Sequence, residues 1–297
     1  MSAFWGLLIA VFAVSWASIF IRWCGDTPAL VISFYRMFWS TLLLFVYQML
    51  KNRSAFTLGS LTVRQRWMLT AAGVLLALHF ATWIASIQMT LISHSLILES
   101  THPVLALLLS PFFLKEKGSW RAVLAAVFTL AGIVVIAGQD LHFAGGKLAG
   151  DLLALAGALF FTFYVFIARS LRKHIDIIPY LIYVYFAATA VLFLLLIVSS
   201  TPPINYPLRV HGFMLLLALI PTGIGHSLIN WAARKIEAYK VNFSVLGEPV
   251  FASVLAFFIF AEEPYGWFYF GALFILVGIV LALVDQTITP VTGQTTA

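Results

Sequence analysis

Long runs of apolar residues, separated by short polar connectors, make up most of this chain. A membrane-spanning helix needs about 20 mainly apolar residues, with roughly 17 as the lower limit. Ten segments meet this requirement, so the pattern predicts an all-α, polytopic membrane protein. The predicted spans cover residues 3–21, 29–50, 67–89, 92–114, 122–138, 152–168, 179–198, 212–233, 241–261 and 265–284.

The composition supports a membrane protein. Of the residues, 62% are hydrophobic and 9% are charged, whereas a soluble domain has about 45–50% apolar and roughly 25% charged residues. Too few polar residues remain to coat a soluble fold, but a lipid bilayer solvates an apolar surface. The chain starts without a basic segment or a small-residue cleavage site, so we expect residues 3–21 to be a first span and not a removed signal peptide.

The distribution of the basic residues predicts the orientation. Thirteen of the 17 Lys and Arg residues lie in every second connector, three lie in the other connectors, and Arg36 lies inside a span. Basic connectors remain in the cytoplasm, which predicts cytoplasmic termini in a bacterial-type plasma (inner) membrane. No basic stripe or recognition motif accompanies the net charge of +6, so we expect no nucleic-acid partner.

Several kinds of bound group are not expected. Cys24 is the only cysteine, and the sequence contains no CxxC motif or Cys/His cluster. This predicts neither a disulfide nor a structural metal site. The sequence also lacks a nucleotide-binding loop, so we expect no cofactor and no ATP-driven transport.

An internal repeat divides the chain into two halves. A shift of 146 residues gives 12 identities in the window 103–136, and these include a proline, a glutamate and a glycine. Five spans are an odd number, so the second half must enter the membrane upside down, which is a transporter architecture. We expect repeats at 1–140 and 141–286, followed by a disordered tail at 287–297.

Three stretches of the sequence have distinctive motifs. The second half contains LGEPVFASVLAFFIFAEE and then a Gly-x6-Gly-Ile-Val helix. The first half contains STHPVLALLLSPFFLKEK, followed by AGIVVIAG, and also PALVISFYRMFWSTLLL with a Pro-x6-Tyr-Arg pattern. Together these stretches resemble the EamA-type permeases of the drug/metabolite transporter superfamily. The resemblance implies two inverted five-helix halves around a central cavity, with the fifth and tenth helices at the periphery. It also implies alternating access, usually for efflux of amino acids or other small metabolites.

Charged residues inside the spans are candidates for the site. A charge at this depth costs about 2.5–3.5 kcal/mol on insertion scales, so it persists only when it is paired or faces water. Arg36 and Glu99 lie at similar depths in spans 2 and 4, which makes a pair between them possible. The pair could be purely structural, or Arg36 could bind a substrate carboxylate with Glu99 as its resting partner.

Glu248 and His102 occupy equivalent positions, each directly before a proline of spans 9 and 4. We expect no basic partner at the depth of Glu248. Apolar surroundings favour the protonated form of a lone carboxyl group, so Glu248 and His102 are candidates for proton coupling. A neutral, hydrogen-bonded structural acid is the alternative for Glu248.

Two histidines near the middle of their spans are further candidates. His79 has Trp83 four residues later, and His226 has Asn230 four residues later, so each pair shares a helix face. The segment 221–225 should weaken or break span 8, and transporters bind substrates at unwound backbone near the midplane. Ordinary hydrogen-bonded packing is the alternative for each histidine.

Aromatic residues on the predicted cavity spans could stack on a substrate, although helix packing explains each of them equally well. Trp16 and Tyr164 are such candidates. We therefore predict a substrate site formed by Arg36, Trp83, His79, Glu99, His226, Asn230, Trp16 and Tyr164, with a small molecule as the partner. The protein itself is expected to be a monomer or a homodimer that associates through peripheral helices.

Two other functions remain open from the sequence. An intramembrane protease would need a Glu-Glu-x3-Arg pattern, and Glu262-Glu263 is not followed by an arginine. A small-solute channel would also be a polar-lined bundle, but a deep inverted repeat favours a carrier. The prediction is a secondary transporter and not an enzyme.

Overall fold

The described residues form ten helices in the computed structural model. The structure describes residues 3–51, 61–89, 92–116, 118–137, 148–261 and 266–284. The helices are α1 Ala3–Trp23, α2 Ala29–Lys51, α3 Val63–Met89, α4 Ile92–Glu99 with His102–Phe113, α5 Trp120–Ala137, α6 Leu148–Leu171, α7 Ile177–Val198, α8 Leu208–Ala233, α9 Ala238–Phe260 and α10 Gly266–Val284. The all-α, ten-helix prediction is confirmed.

Seven of these helices are long and apolar enough to cross a membrane on their own, namely all except α4, α5 and α10. The other three contain shorter apolar helices. The predicted boundary between residues 140 and 141 and the predicted disordered tail lie outside the described residues.

Prolines interrupt α4 and α9 at matching places. In α4 the break falls at Ser100-Thr101, just before Pro103, and in α9 it falls at Leu246, just before Pro249. Proline lacks the N–H of a helical hydrogen bond and clashes with the preceding turn. The duplicated prolines therefore divide equivalent helices at equivalent depths.

Helix α8 is disturbed at the segment that the sequence singled out. Residues 221–225 were expected to weaken or break the span, and the α-helix gives way there to a π-helix, Ala218–His226. A π-helix widens the turn, and this accommodates Pro221 without unwinding the helix. The span is therefore altered at this segment but not broken.

The two halves pack with approximate two-fold symmetry. Equivalent helices meet in the pairs α2–α7, α4–α9 and α5–α10. Each remaining major contact between the halves has a mirror image: α3–α6 mirrors α8–α1, α3–α7 mirrors α8–α2, and α4–α6 mirrors α9–α1. The cavity lies where these contacts converge.

One buried ion pair shows that the halves are inverted. Glu116, just after α4, pairs with Arg169 near the end of α6 at 2.7 Å. The second oxygen of Glu116 accepts the N–H of Ala238 at the start of α9 at 3.1 Å. Arg169 Nη1 donates to the carbonyl of Ala233 at the end of α8 at 3.1 Å. The end of α4 therefore lies beside the start of α9, its repeat equivalent, so the two helices run in opposite directions.

Glycines allow α5 and α10 to approach closely. A Cβ on Gly132 would lie 2.5 Å from the carbonyl oxygen of Gly271, and a Cβ on Gly278 would lie 2.8 Å from the carbonyl oxygen of Ala125. These two contacts are related by the 146-residue repeat. Since a backbone carbonyl cannot move aside as a flexible side chain can, both positions require glycine.

Substituting Gly132→Ala or Gly278→Ala should lower the thermal unfolding midpoint in detergent. Overpacking in a well-packed interior costs about 1–3 kcal/mol. Gly212→Ala in α8 is the matched control, because a Cβ there meets nothing within 4 Å and alanine favours a helix. Equal effects at Gly132 and Gly212 would contradict close packing of α5 on α10.

Glu116→Gln should also lower the unfolding midpoint, since it removes the charge that compensates the buried Arg169 guanidinium. Leaving a buried polar group unsatisfied costs about 1–3 kcal/mol. The control is Asp176→Asn, which removes an exposed pair with Arg234 at 3.7 Å; such surface pairs contribute about 0–1 kcal/mol. A Glu116 variant as stable as the Asp176 variant would show that the ion pair does not hold these helix ends together.

Candidate substrate-binding site

A small cavity between the two halves contains six of the ten predicted site residues. Its polar lining comes from both repeats: Arg36, His79, Trp83, Glu99, His226 and Glu248. The space open to the centre of a water molecule is about 20 Å³, which is room for one or two waters. A metabolite would need this cavity to enlarge.

Arg36 is held by contacts from two other helices. Its side chain is buried, with 1% exposed. Nε donates to Thr222 Oγ1 of the π-helix at 2.8 Å, and Cζ lies 3.9 Å from the centre of the Phe80 ring on α3. Nη1 has no hydrogen-bond partner among the described residues. The guanidinium therefore keeps a free donor for a ligand.

Arg36 forms no ion pair with Glu99 or with Glu248 in the described part of the chain. The sequence made a pair between Arg36 and Glu99 possible and predicted no basic partner for Glu248. All three side chains line the same cavity. Two carboxyl groups and one guanidinium are therefore brought together there.

His79 and Trp83 bring two parallel rings to the cavity. The angle between the rings is 4° and their centroids are 6.1 Å apart. His79 Nδ1 lies 3.1 Å from the carbonyl oxygen of Gly157; because a carbonyl only accepts, Nδ1 must carry the proton. This contact assigns the tautomer and leaves Nε2 of His79 for the cavity.

His226 is supported by Asn230 and Tyr164, which lie behind it. The Asn230 amide donates to the backbone carbonyl of His226 and to the Tyr164 hydroxyl. The His226 ring lies edge-on to Phe80 at 5.2 Å, and its Nδ1 has no partner among the described residues. Asn230 and Tyr164, both predicted to bind substrate, are therefore placed to support His226.

His102 and Trp16 are not brought to this cavity. His102 Nδ1 lies 2.8 Å from Asn242 Oδ1, a contact between α4 and α9. Trp16 stacks on Phe20 of its own helix at 5.6 Å. Both side chains have packing partners that explain their burial.

Thr222 and Phe80 are the contacts that sequence reasoning missed. Pro221 cannot donate to the carbonyl of Leu217, four residues earlier, and the Thr222 hydroxyl donates to that carbonyl at 3.0 Å. The position of the Thr222 hydroxyl directly after a proline in the middle of a span was the signal in the sequence that could have predicted this contact. Phe80 offered no comparable signal, because its contact with Arg36 depends on how α2 and α3 pack.

The described residues show no group of three or more His, Cys, Asp or Glu side chains that could hold a metal ion. The cavity lining suits a small organic ligand. It offers nitrogen atoms of Arg36 and His226 that have no partner among the described residues, the carboxyl groups of Glu99 and Glu248, and the parallel rings of His79 and Trp83.

Comparison with known proteins agrees with this picture. The chain is 26% identical over 200 residues to the uncharacterized transporter YcxC of Bacillus subtilis (strain 168), and this match covers 62% of each protein. It is 24% identical over 290 residues to human solute carrier family 35 member G1, covering 94% of this chain and 78% of that one. The match thus spans less than two thirds of the length of the Bacillus relative.

A solved crystal structure has the same fold, with a TM-score of 0.80 at 18% identity, covering 95% of this chain and 96% of that one. The sequence model of the EamA-like transporter family matches residues 1–138 and again residues 148–284. These two matches cover nearly every residue of the ten helices. The chain therefore belongs to the EamA-like transporter family, within the drug/metabolite transporter superfamily.

Proposed function

We propose that this protein is a secondary transporter that moves an amino acid or a related small metabolite by alternating access. One observation carries the proposal: titratable residues of both repeats line a single cavity between them. Because the two walls of the cavity belong to different halves, a movement of one half against the other changes access to it.

The substrate class follows from the charges around the cavity. A carboxylate would bind the free edge of the Arg36 guanidinium, since arginine pairs with carboxylates through parallel hydrogen bonds. An ammonium group would lie towards Glu99 and Glu248. The parallel rings of His79 and Trp83 would pack against the remainder of the substrate. A zwitterion satisfies all three parts of the site.

The small volume supports a carrier over a channel. A channel needs a continuous water-filled path, whereas this cavity holds one or two waters. The Glu116–Arg169 pair joins helix ends of both halves at one end of the protein. Substrate access from that end would require these contacts to separate.

Orientation and direction are inferred from charge and from the family resemblance. The basic connectors support cytoplasmic termini in a bacterial-type plasma membrane, and we favour export over import. The protein would act as a monomer, or as a homodimer through its peripheral helices α5 and α10.

Glu248 is our candidate for the proton-carrying group. It lines the same cavity as Arg36. A substrate carboxylate that bound Arg36 would compete with Glu248 for the same positive charge. The uncompensated Glu248 would then take up a proton, because an isolated carboxylate is costly away from water. Substrate binding and proton uptake would be coupled through one guanidinium.

Counterflow in liposomes tests the transport function directly. Purified protein is reconstituted into vesicles loaded with a mixture of the twenty amino acids, and each labelled amino acid is offered outside. Uptake of at least one of them, absent from protein-free vesicles, is the expected result. Retention of small sugars and inorganic ions in the same vesicles distinguishes a carrier from a channel; their rapid leakage would contradict the proposal.

Arg36→Lys should reduce counterflow at least about tenfold, because lysine replaces a rigid fork of donors with a single ammonium group. The measurement is the initial rate at equal amounts of reconstituted protein. Arg209→Lys is the matched control: Arg209 is near one end of α8, beside the Phe213 ring, and its substitution should leave the rate unchanged. A fully active Arg36→Lys protein would rule out the proposed carboxylate site.

Glu248→Gln should retain counterflow but lose accumulation driven by a pH gradient, because glutamine cannot exchange a proton. Glu99→Gln serves as the contrast. It should weaken substrate binding and leave the dependence on the gradient in place. If Glu248→Gln responded to the pH gradient as the wild type does, the proton would have to be carried elsewhere.

A further inference from the structure

The hydroxyl of Thr222 occupies an unusual position for a helical threonine. Threonines elsewhere in these helices, such as Thr41, Thr162 and Thr189, donate to the carbonyl four residues earlier. Thr222 instead donates to Leu217, five residues earlier. This register is that of the π-helix, whose hydrogen bonds span five residues.

Pro221 creates the opportunity for this bond. In an α-helix, the N–H of residue 221 would bond to the carbonyl of Leu217, but proline has no N–H. In the π-helix the backbone N–H of Thr222, one residue later, takes the place of the missing donor. The Thr222 hydroxyl is a second donor to the same carbonyl oxygen, at 3.0 Å.

This bond determines what else the hydroxyl can do. A threonine hydroxyl has one hydrogen, which is already donated to Leu217, so its oxygen can only accept from Arg36 Nε. That contact measures 2.8 Å, and Thr222 is fully buried. The π-helical turn therefore determines where the hydroxyl lies, and the bond to Leu217 leaves its oxygen as the acceptor for Arg36.

The contact orients the guanidinium for a ligand. The guanidinium is planar, so fixing Nε and stacking the plane on Phe80 leave its orientation little freedom. Thr222 occupies the Nε side, and the described residues leave Nη1 without a partner. The end formed by Nη1 and Nη2 is then the part that can bind a carboxylate with two hydrogen bonds.

We propose that Thr222, set in place by the Pro221 π-turn of α8, is the positioning residue that makes the cavity selective for a carboxylate. The proposal rests on the transport function above and adds to it the residue that determines charge selectivity. Without the hydroxyl, Arg36 keeps its charge but loses its orientation. Selectivity for the carboxylate should then fall more than the overall affinity.

Two substitutions separate the hydroxyl from the shape of the residue. Thr222→Val keeps the shape and removes the hydroxyl, whereas Thr222→Ser keeps the hydroxyl. Thr70→Val is the matched control, because the Thr70 hydroxyl bonds only within its own helix, to the carbonyl of Arg66. All three proteins are compared with the wild type in the same detergent.

The first readout needs no ligand. Protein labelled with ¹⁵N-arginine should show a slowly exchanging Nε–H signal for Arg36, assigned by its loss in Arg36→Lys. The signal should remain in Thr222→Ser and Thr70→Val, and shift or exchange rapidly in Thr222→Val. An unchanged signal in Thr222→Val would overturn the positioning role.

The second readout is selectivity, measured as the binding of each of the twenty amino acids against its carboxamide by thermal shift. The wild type should bind the acid more tightly than the carboxamide. In Thr222→Val the ratio of these two affinities should fall about tenfold, which is the loss expected from one hydrogen bond to a charged group. Its affinity for the carboxamide should change less than about threefold. Undiminished preference in Thr222→Val, or a wild type that does not distinguish acid from amide, would overturn the proposal.

Failure of the proposed function gives a different result. If no amino acid or amide bound the wild type, the proposed substrate class would be wrong. The Nε–H signal would then decide alone whether Thr222 positions Arg36.

Discussion

A guanidinium buried in the middle of a membrane protein has to be solvated by the protein itself, because lipid offers no hydrogen bonds. Arg36 meets this requirement through two other helices. The Phe80 ring of α3 lies 3.9 Å from its Cζ, and Thr222 of α8 accepts its Nε–H. These contacts come from both repeats, so the solvation of one side chain joins the two halves at the cavity.

The framework around Arg36 is symmetric, but its chemistry is not. Helix contacts recur in mirrored pairs, and the closest approaches of α5 and α10 are related by the repeat. Yet the equivalent of Arg36 is Ile182, and the equivalent of Glu248 is His102. A symmetric cavity would bind a ligand equally well in two orientations. Divergence of these few positions gives the two walls of the cavity different chemical groups, so that its two orientations are no longer equivalent.

Polar contacts between the halves occur at several places along the interface. Near the cavity, Arg36 donates to Thr222 and His79 contacts the carbonyl of Gly157. Further contacts join α4 to α9 through His102 and Asn242, and join the helix ends beside Glu116. The two halves are therefore held together by hydrogen bonds as well as by apolar packing.

The sequence by itself determined the ten helices, the inversion and the family, because apolar length and the number of spans can be read along the chain. It also identified Arg36, His79, Glu99, His226 and Glu248, since the cost of burying polar groups marks them without any structure. Only the tertiary structure decided the partners: Thr222 and Phe80 for Arg36, Asn242 for His102 and Phe20 for Trp16. Sequence gives the position of a residue along its span, but the rotation of its helix and the identity of its neighbours depend on how all ten helices pack together. The sequence also located the disturbance of α8 at 221–225, whereas its form, a π-helix, is visible only in the structure.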